Sequence, residues 1–166
     1  ILHTDDGGKS WREQRCPELG SPYYSIYFVD YLTGWVIGAS NDSFSAIAHS
    51  VDGGDTFKIQ YNNRNNCLWH IWLETLYFAN RQEGFAVGRN GCGILHTTDG
   101  GQTWTIQETP PGHSLSELQS ICYGGKNRLW AVGEDGMLLT YYDPSLRVIQ
   151  TSYWAVEQSS KDILSW

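Results

Sequence analysis

The sequence predicts an all-β fold, a β-propeller of four-stranded antiparallel blades present as an incomplete set in this chain. Three observations carry that expectation. A hairpin motif recurs at a fixed period, a second apolar motif recurs between its copies, and the composition is rich in Gly and aromatic residues. The chain holds 18 Gly, 8 Trp and 10 Tyr but only 17% charged residues. That mixture suits short strands joined by tight turns better than helices. A length of 166 residues fits one domain.

The hairpin motif reads [S/T]-x-D-G-G-x-[S/T]-[W/F]. It occurs at Thr4–Trp11, Ser50–Phe57 and Thr97–Trp104, with 46 residues from Asp6 to Asp52 and 47 from Asp52 to Asp99. A constant period of this size marks a blade array. The second motif, Gly34-Trp35-Val36-Ile37-Gly38, returns as Gly84-Phe85-Ala86-Val87-Gly88 and as Leu129-Trp130-Ala131-Val132-Gly133. Each copy follows an alternating stretch, Ile26–Val29, Leu76–Ala79 and Ser120–Tyr123. One unit therefore runs strand, polar turn, strand ending in Gly, loop, strand with His-[Thr/Ser], Asp-Gly-Gly hairpin, and strand with the aromatic. Four antiparallel strands make one blade. The units fall near 1–22, 23–69, 70–114 and 115–150, with a tail at 151–166. In the fourth unit Tyr141-Tyr142-Asp143-Pro144 replaces the Asp-Gly-Gly turn. Either the tail closes the ring, giving about four blades, or further blades lie outside this chain; the second reading is favoured.

In the hairpin, the Asp accepts turn N–H groups, Gly supplies positive φ, and the aromatic packs under the turn. Asp6, Gly8, Trp11, Asp52, Gly54, Phe57, Asp99, Gly101 and Trp104 are thus structural staples. Three copies at one repeat position serve three equivalent turns, so a catalytic role for the acids is not expected. The same logic covers His3, His49 and His96. They occupy one repeat position on successive units, whereas metal ligands must converge within about 2.1 Å of one ion; no metal site and no cofactor are expected. Cys16, Cys67, Cys92 and Cys122 lack metal-ligand spacing and are either buried thiols or, for one pair, a disulfide. If one forms, Cys67–Cys92 is the expected pair.

A formal charge of −7 without a Lys/Arg cluster argues against nucleic acid as partner. No apolar stretch reaches the length that spans a bilayer. The chain opens on Ile1 with no signal-peptide pattern, which suggests a processed or truncated start. The seven arginines, Arg12, Arg15, Arg64, Arg81, Arg89, Arg128 and Arg147, are scattered, mostly in turns. Glu74, Glu83, Glu117 and Glu134 read as single acids, where a glycosidase needs two facing carboxylates. No nucleophile motif is present, so an enzyme is not expected. The departures from the repeat gather in Asn62–Trp72 and Thr109–His113. Loops on a rigid frame carry binding, and Trp is favoured in interface cores. Trp69 and Trp72 are therefore candidate partner contacts, with packing between blades as the equal alternative.

The stretch Gly84 to Trp104, G-F-A-V-G-R-N-G-C-G-I-L-H-T-T-D-G-G-Q-T-W, resembles the photosystem II stability/assembly-factor-like propellers of the wider bacterial neuraminidase repeat superfamily. The resemblance covers residues 1–142, most strongly in the hairpins. It implies a non-catalytic scaffold that binds photosystem polypeptides on the lumenal or periplasmic side of a membrane. It thus implies a protein partner within a membrane complex and an extracytoplasmic location. It also implies an arginine patch on one propeller face. Arg89, directly after Gly88, is the matching position; Ala39 and Glu134 stand there in the adjoining units, and a solvated loop charge is the other reading of Arg89. Sialidases, xyloglucanase-type hydrolases and sortilin-type receptors share the hairpins. A secreted glycan-binding or glycoside-hydrolase-type propeller is therefore the alternative.

Overall fold

The computed structural model describes residues 1–14, 16–17, 19–40, 45–62, 72–89, 94–107, 117–124, 128–142 and 149–151. Among them run fourteen strands. β1 (Leu2–His3) and β2 (Arg12–Glu13) form a two-stranded sheet. β3 (Tyr23–Phe28), β4 (Gly34–Ala39), β5 (Ser45–Ser50) and β6 (Lys58–Asn62) form the second sheet. β7 (Trp72–Phe78), β8 (Gly84–Arg89), β9 (Ile94–Thr97) and β10 (Thr105–Gln107) form the third. β11 (Leu118–Tyr123), β12 (Arg128–Gly133), β13 (Leu138–Tyr142) and β14 (Ile149–Thr151) form the fourth. Each four-stranded sheet is an antiparallel meander in chain order, and its first strand packs against the first strand of the next, β3 on β7 and β7 on β11. This is the propeller blade the repeat predicted.

The core lies between the sheets. Trp35, Ile37 and Ile47 of the second sheet pack with Leu73, Leu76, Phe78, Ala86 and Leu95 of the third. Phe85, Val87 and Ile94 turn the other way and join Leu118, Ile121, Leu129 and Leu139 of the fourth. Val36, Ala46 and Ala48 face back toward Cys16 and Leu19. β4 and β8, buried on both faces, have no solvent side, which is why their motif is apolar at every position rather than alternating.

The hairpins share one hydrogen-bond pattern. Asp99 Oδ1 accepts Thr103 N at 2.9 Å and Thr97 Oγ1 at 2.8 Å, while Oδ2 accepts Thr103 Oγ1 at 2.6 Å. Thr97 Oγ1 in turn accepts Gly101 N at 2.9 Å. Asp6 with Thr4 and Ser10, and Asp52 with Ser50 and Thr56, repeat the set. Both hydroxyl positions of the motif thus complete the turn, a role the sequence reading left unassigned. The two central glycines of each turn have positive φ, 73° and 89° at Gly100 and Gly101. The aromatic stands one residue before the last strand rather than within it. Trp104 donates Nε1–H to Gly101 O at 3.1 Å, Phe57 is buried, and Trp11 lies against Gly8 but stays exposed.

These donors hold Asp6, Asp52 and Asp99 at about 2, below the ordinary carboxylate value, with the Ser10, Thr56 and Thr103 hydroxyls the largest cause. A folded-state value below the unfolded one means stability that is present above the ordinary value of 3.8 and lost as pH falls through about 2. Asp99→Ala should therefore cost about 1–2 kcal/mol near neutral pH, at the low end for a solvent-washed turn. Its deficit relative to the parent should shrink between pH 4 and pH 2, readable in denaturant melts across that range. An unchanged deficit at low pH would mean that the carboxylate does not act through its charge.

Candidate functional site

The blades have two unlike ends. One carries the hairpin turns together with the turns between first and second strands. Gly53 N donates to Leu32 O at 2.9 Å and Gly100 N to Gln82 O at 2.7 Å, which ties these turns together. Asp30 closes its own turn by accepting Leu32 N and Thr33 N, then reaches the next blade through Arg81 Nε at 2.7 Å. Arg81, joined first by that hydrogen bond, holds the Asp30 carboxyl at about 2. Tyr27 and Tyr77, at one position of two first strands, and Tyr123, one place further along the third, form a row with centroids 5.0 and 5.6 Å apart. Burial, then the bond with Tyr27, pushes Tyr77 up to about 12.

The opposite end is built by the starts of the first strands. Here every first strand of a full sheet has a register shift, between Tyr23 and Ser25, Leu73 and Thr75, and Leu118 and Ser120. The extra residue of such a bulge has no cross-strand partner and its side chain is re-aimed. Those residues are Tyr24, Glu74 and Gln119. Glu74 Oε1 takes Arg89 Nε at 2.7 Å, and Glu117 Oε2 of the following blade lies 3.7 Å from Arg89 Nη1. Gln119 donates to Glu134 Oε1 at 3.3 Å. Trp72 and Arg89 are direct register partners, so the strand pairing itself brings two of the three candidate contacts together. Trp72 is 40% exposed and borders an open cleft of about 400 Å³ with Pro22, Tyr24 and Ser40.

Several expectations change. Trp72 begins a strand rather than lying in a loop. Arg12, Arg89 and Arg128 stand on strands, not in turns. Arg12 bonds Asp55 at 2.8 Å. Glu74 and Glu117 are not single acids, because they share Arg89, and Glu83 lies 3.6 Å from His96. Arg89 is thus an inter-blade ion pair with a half-exposed guanidinium, surrounded by more carboxylate than it can neutralise. Trp69, Arg15, Arg64, Arg147, Cys67, Cys92, Thr109–His113 and the tail beyond Thr151 lie outside the described residues. Cys16 is buried and Cys122 is exposed.

The histidines each serve their own blade. His3 contacts Gln14 and Asp5. His96 stacks on Phe85 with centroids 4.4 Å apart. His49 stacks on Trp35 at 4.7 Å and meets Gln60 Nε2 through Nδ1 at 3.2 Å. Trp35 Nε1 can only donate, and it bonds Gln60 Oε1 at 3.2 Å, so Gln60 must turn its amide group to His49. Nδ1 is then the acceptor and the neutral ring carries its proton on Nε2. Burial lowers the His49 pKa. Among the described residues, no three His, Cys, Asp or Glu side chains gather as a metal site would require.

Asp-hairpin blades that bury their repeats against one another and present aromatic and charged groups at one end define a β-propeller scaffold. The chain belongs to the family described as photosynthesis system II assembly factor YCF48, whose model matches residues 16–114. A photosystem II stability/assembly factor of Oryza sativa subsp. japonica, HCF136, is 33% identical over 64 residues, 39% of this chain and 15% of that protein. A solved structure described as YCF48 bound to D1 peptide aligns with TM-score 0.64 at 21% identity, over 81% of this chain and 42% of that one. YCF48 from Cyanidioschyzon merolae aligns with TM-score 0.64 at 17% identity, over 88% and 45%. The two structural likenesses show the fold. The chain spans less than half the length of each of these three proteins.

Proposed function

We propose that this chain is a non-catalytic assembly scaffold that docks a protein segment of a photosystem II type membrane complex from its extracytoplasmic side, in the lumen or periplasm. The family match carries the reading, because residues 16–114 span all of β3 to β10 and hence both Trp72 and Arg89. The bulged ends of the blades are the contact face. Trp72 and Tyr24 supply apolar area beside the cleft, and Arg89 supplies bidentate donors that a partner carboxylate takes over from Glu74. The solved relative bound to D1 peptide makes D1 the first partner to test.

The test is fluorescence anisotropy with labelled peptides tiling the non-membrane segments of D1, alongside pull-down from detergent-solubilised photosynthetic membranes. Trp72→Ala and Arg89→Ala should each weaken the best peptide about tenfold or more. Their melting temperatures should stay near the parent's, since an exposed ion pair adds only about 0–1 kcal/mol. Binding that survives both substitutions would move the contact face elsewhere. Failure of every peptide and of the solubilised complex would remove the scaffold reading itself.

A further inference from the structure

We propose that the cleft between the second and third sheets, at their bulged ends, receives a prolyl residue of an extended partner segment. A lysine or arginine beside that proline sits on the carboxylates of the following blade. The proposal rests on the scaffold reading and names the chemistry of the segment that is docked.

The cleft, of about 400 Å³, lies between Pro22, Tyr24, Ala39 and Ser40 on one side and Trp72 on the other. Its walls flank two complete four-stranded sheets, tied together at this end by Leu73 N, which donates to Ser45 Oγ at 2.9 Å. Ser40 is 7% exposed, and its Oγ has no hydrogen-bond partner among the described residues. An orphaned hydroxyl in a buried wall is uncommon and costs stability, so its presence here points to an acceptor brought by a ligand. Among the described residues no charged side chain lines the cleft, so the group that enters is neutral. Tyr24 and Trp72 add ring faces and two further donors, an O–H and an N–H. Ring faces with donors between them suit a prolyl residue. Its carbonyl accepts, it has no N–H to leave unpaired, and the extended helix it favours is already ordered before docking.

The repeat supplies the neighbouring charge. One blade on, the positions of Pro22, Tyr24 and Ala39 hold Trp72, Glu74 and Arg89, and Glu117 stands where Trp72 stood. There one guanidinium meets two carboxylates, Glu74 at 2.7 Å and Glu117 at 3.7 Å. Glu134 N bonds Glu117 O at 2.9 Å, which brings a third acid to the same place. The surplus is negative whether or not a partner carboxylate displaces Glu74, and a cation complements it. A neutral notch thus adjoins an anionic one, with Trp72, the register partner of Arg89, between them.

The probe is hexaproline capped at both ends by lysine, titrated into the whole chain and followed by the indole N–H resonance of Trp72. It should shift that resonance to saturation, and hexaalanine with the same caps should leave it in place. Hexaproline capped by glutamates should bind about threefold more weakly or worse, a gap that narrows with added salt. Ser40→Ala should weaken the lysine-capped peptide about fivefold while the melting temperature holds or rises, because the variant removes a ligand bond and an orphaned group together. A Trp72 resonance that ignores hexaproline, or equal binding by hexaalanine or by the glutamate-capped peptide, overturns the proposal. So does a Ser40→Ala variant that loses affinity and stability together, since that result gives the hydroxyl to the fold. The probe holds no D1 sequence. D1 peptides that bind where hexaproline does not would sink this proposal alone, whereas the reverse would remove the photosystem reading and leave the cleft assigned.

Discussion

Trp35→Ala is expected to cost about 3–5 kcal/mol, the range for emptying a fully buried aromatic site. Trp35 is 0% exposed. Its ring separates Phe78 from His49, and its N–H is shared between Gln60 and the carbonyl of Gly100 on the neighbouring blade. Removal opens a cavity between two blades and leaves a buried carbonyl with one donor fewer. Against a typical domain stability of about 5–15 kcal/mol, that is a large share. Trp35→Phe should cost less than half as much, because Phe85 fills the equivalent place one unit later. Denaturant midpoints of the two variants measure the difference. Equal losses would mean that the hydrogen bonds, not the packing, hold these blades together.

Gly88→Ala should be damaging for a different reason. A Cβ at Gly88 would overlap the carbonyl oxygen of Trp72 and stand 2.7 Å from Leu73 Cα, so the obstacle is backbone that no side-chain rotation can move. Overpacking of this kind costs about 3 kcal/mol or more and should displace the bulged start of β7. Gly38→Ala, at the same repeat position, should be milder. Its Cβ would meet the Tyr23 ring at 3.0 Å and the Leu19 side chain at 3.3 Å, and both can shift. Soluble yield and melting temperature of the pair test the contrast; a harmless Gly88→Ala would show that the motif's last glycine is not kept by close approach.

The blade plan was legible because its signals are local and repeated. Asp-Gly-Gly marks each hairpin wherever it occurs, and three copies at one period locate the strands between them. The inter-blade bonds were not legible, since Trp35 to Gly100, Arg81 to Asp30 and Arg12 to Asp55 join residues far apart in sequence. That distance is also why Glu74 and Glu117 read as lone acids. Two of the three first-strand bulges did leave a trace. Leu73 and Leu76, like Leu118 and Ile121, are buried three residues apart, where an unbroken strand would bury every second residue. Tyr24 left none, because Tyr23 and Ile26 are both exposed. The sequence points to Trp72 and Arg89 on separate grounds, one for its aromatic loop and one for its place after Gly88. Only the register of β7 and β8 shows them as neighbours.

The bulges bear on how such a molecule can change. Elsewhere along these first strands each residue answers to a partner on the adjacent strand, so a new side chain disturbs a pair. The positions of Tyr24, Glu74 and Gln119 answer to none in the ladder, and they already hold an aromatic, an acid and an amide on one unaltered backbone plan. Substitution there can rewrite what the surface recognises, blade by blade, while the frame beneath keeps its shape. On the proposed contact face these three positions would thus vary apart from the ladder, whereas Trp72 and Arg89 belong to it.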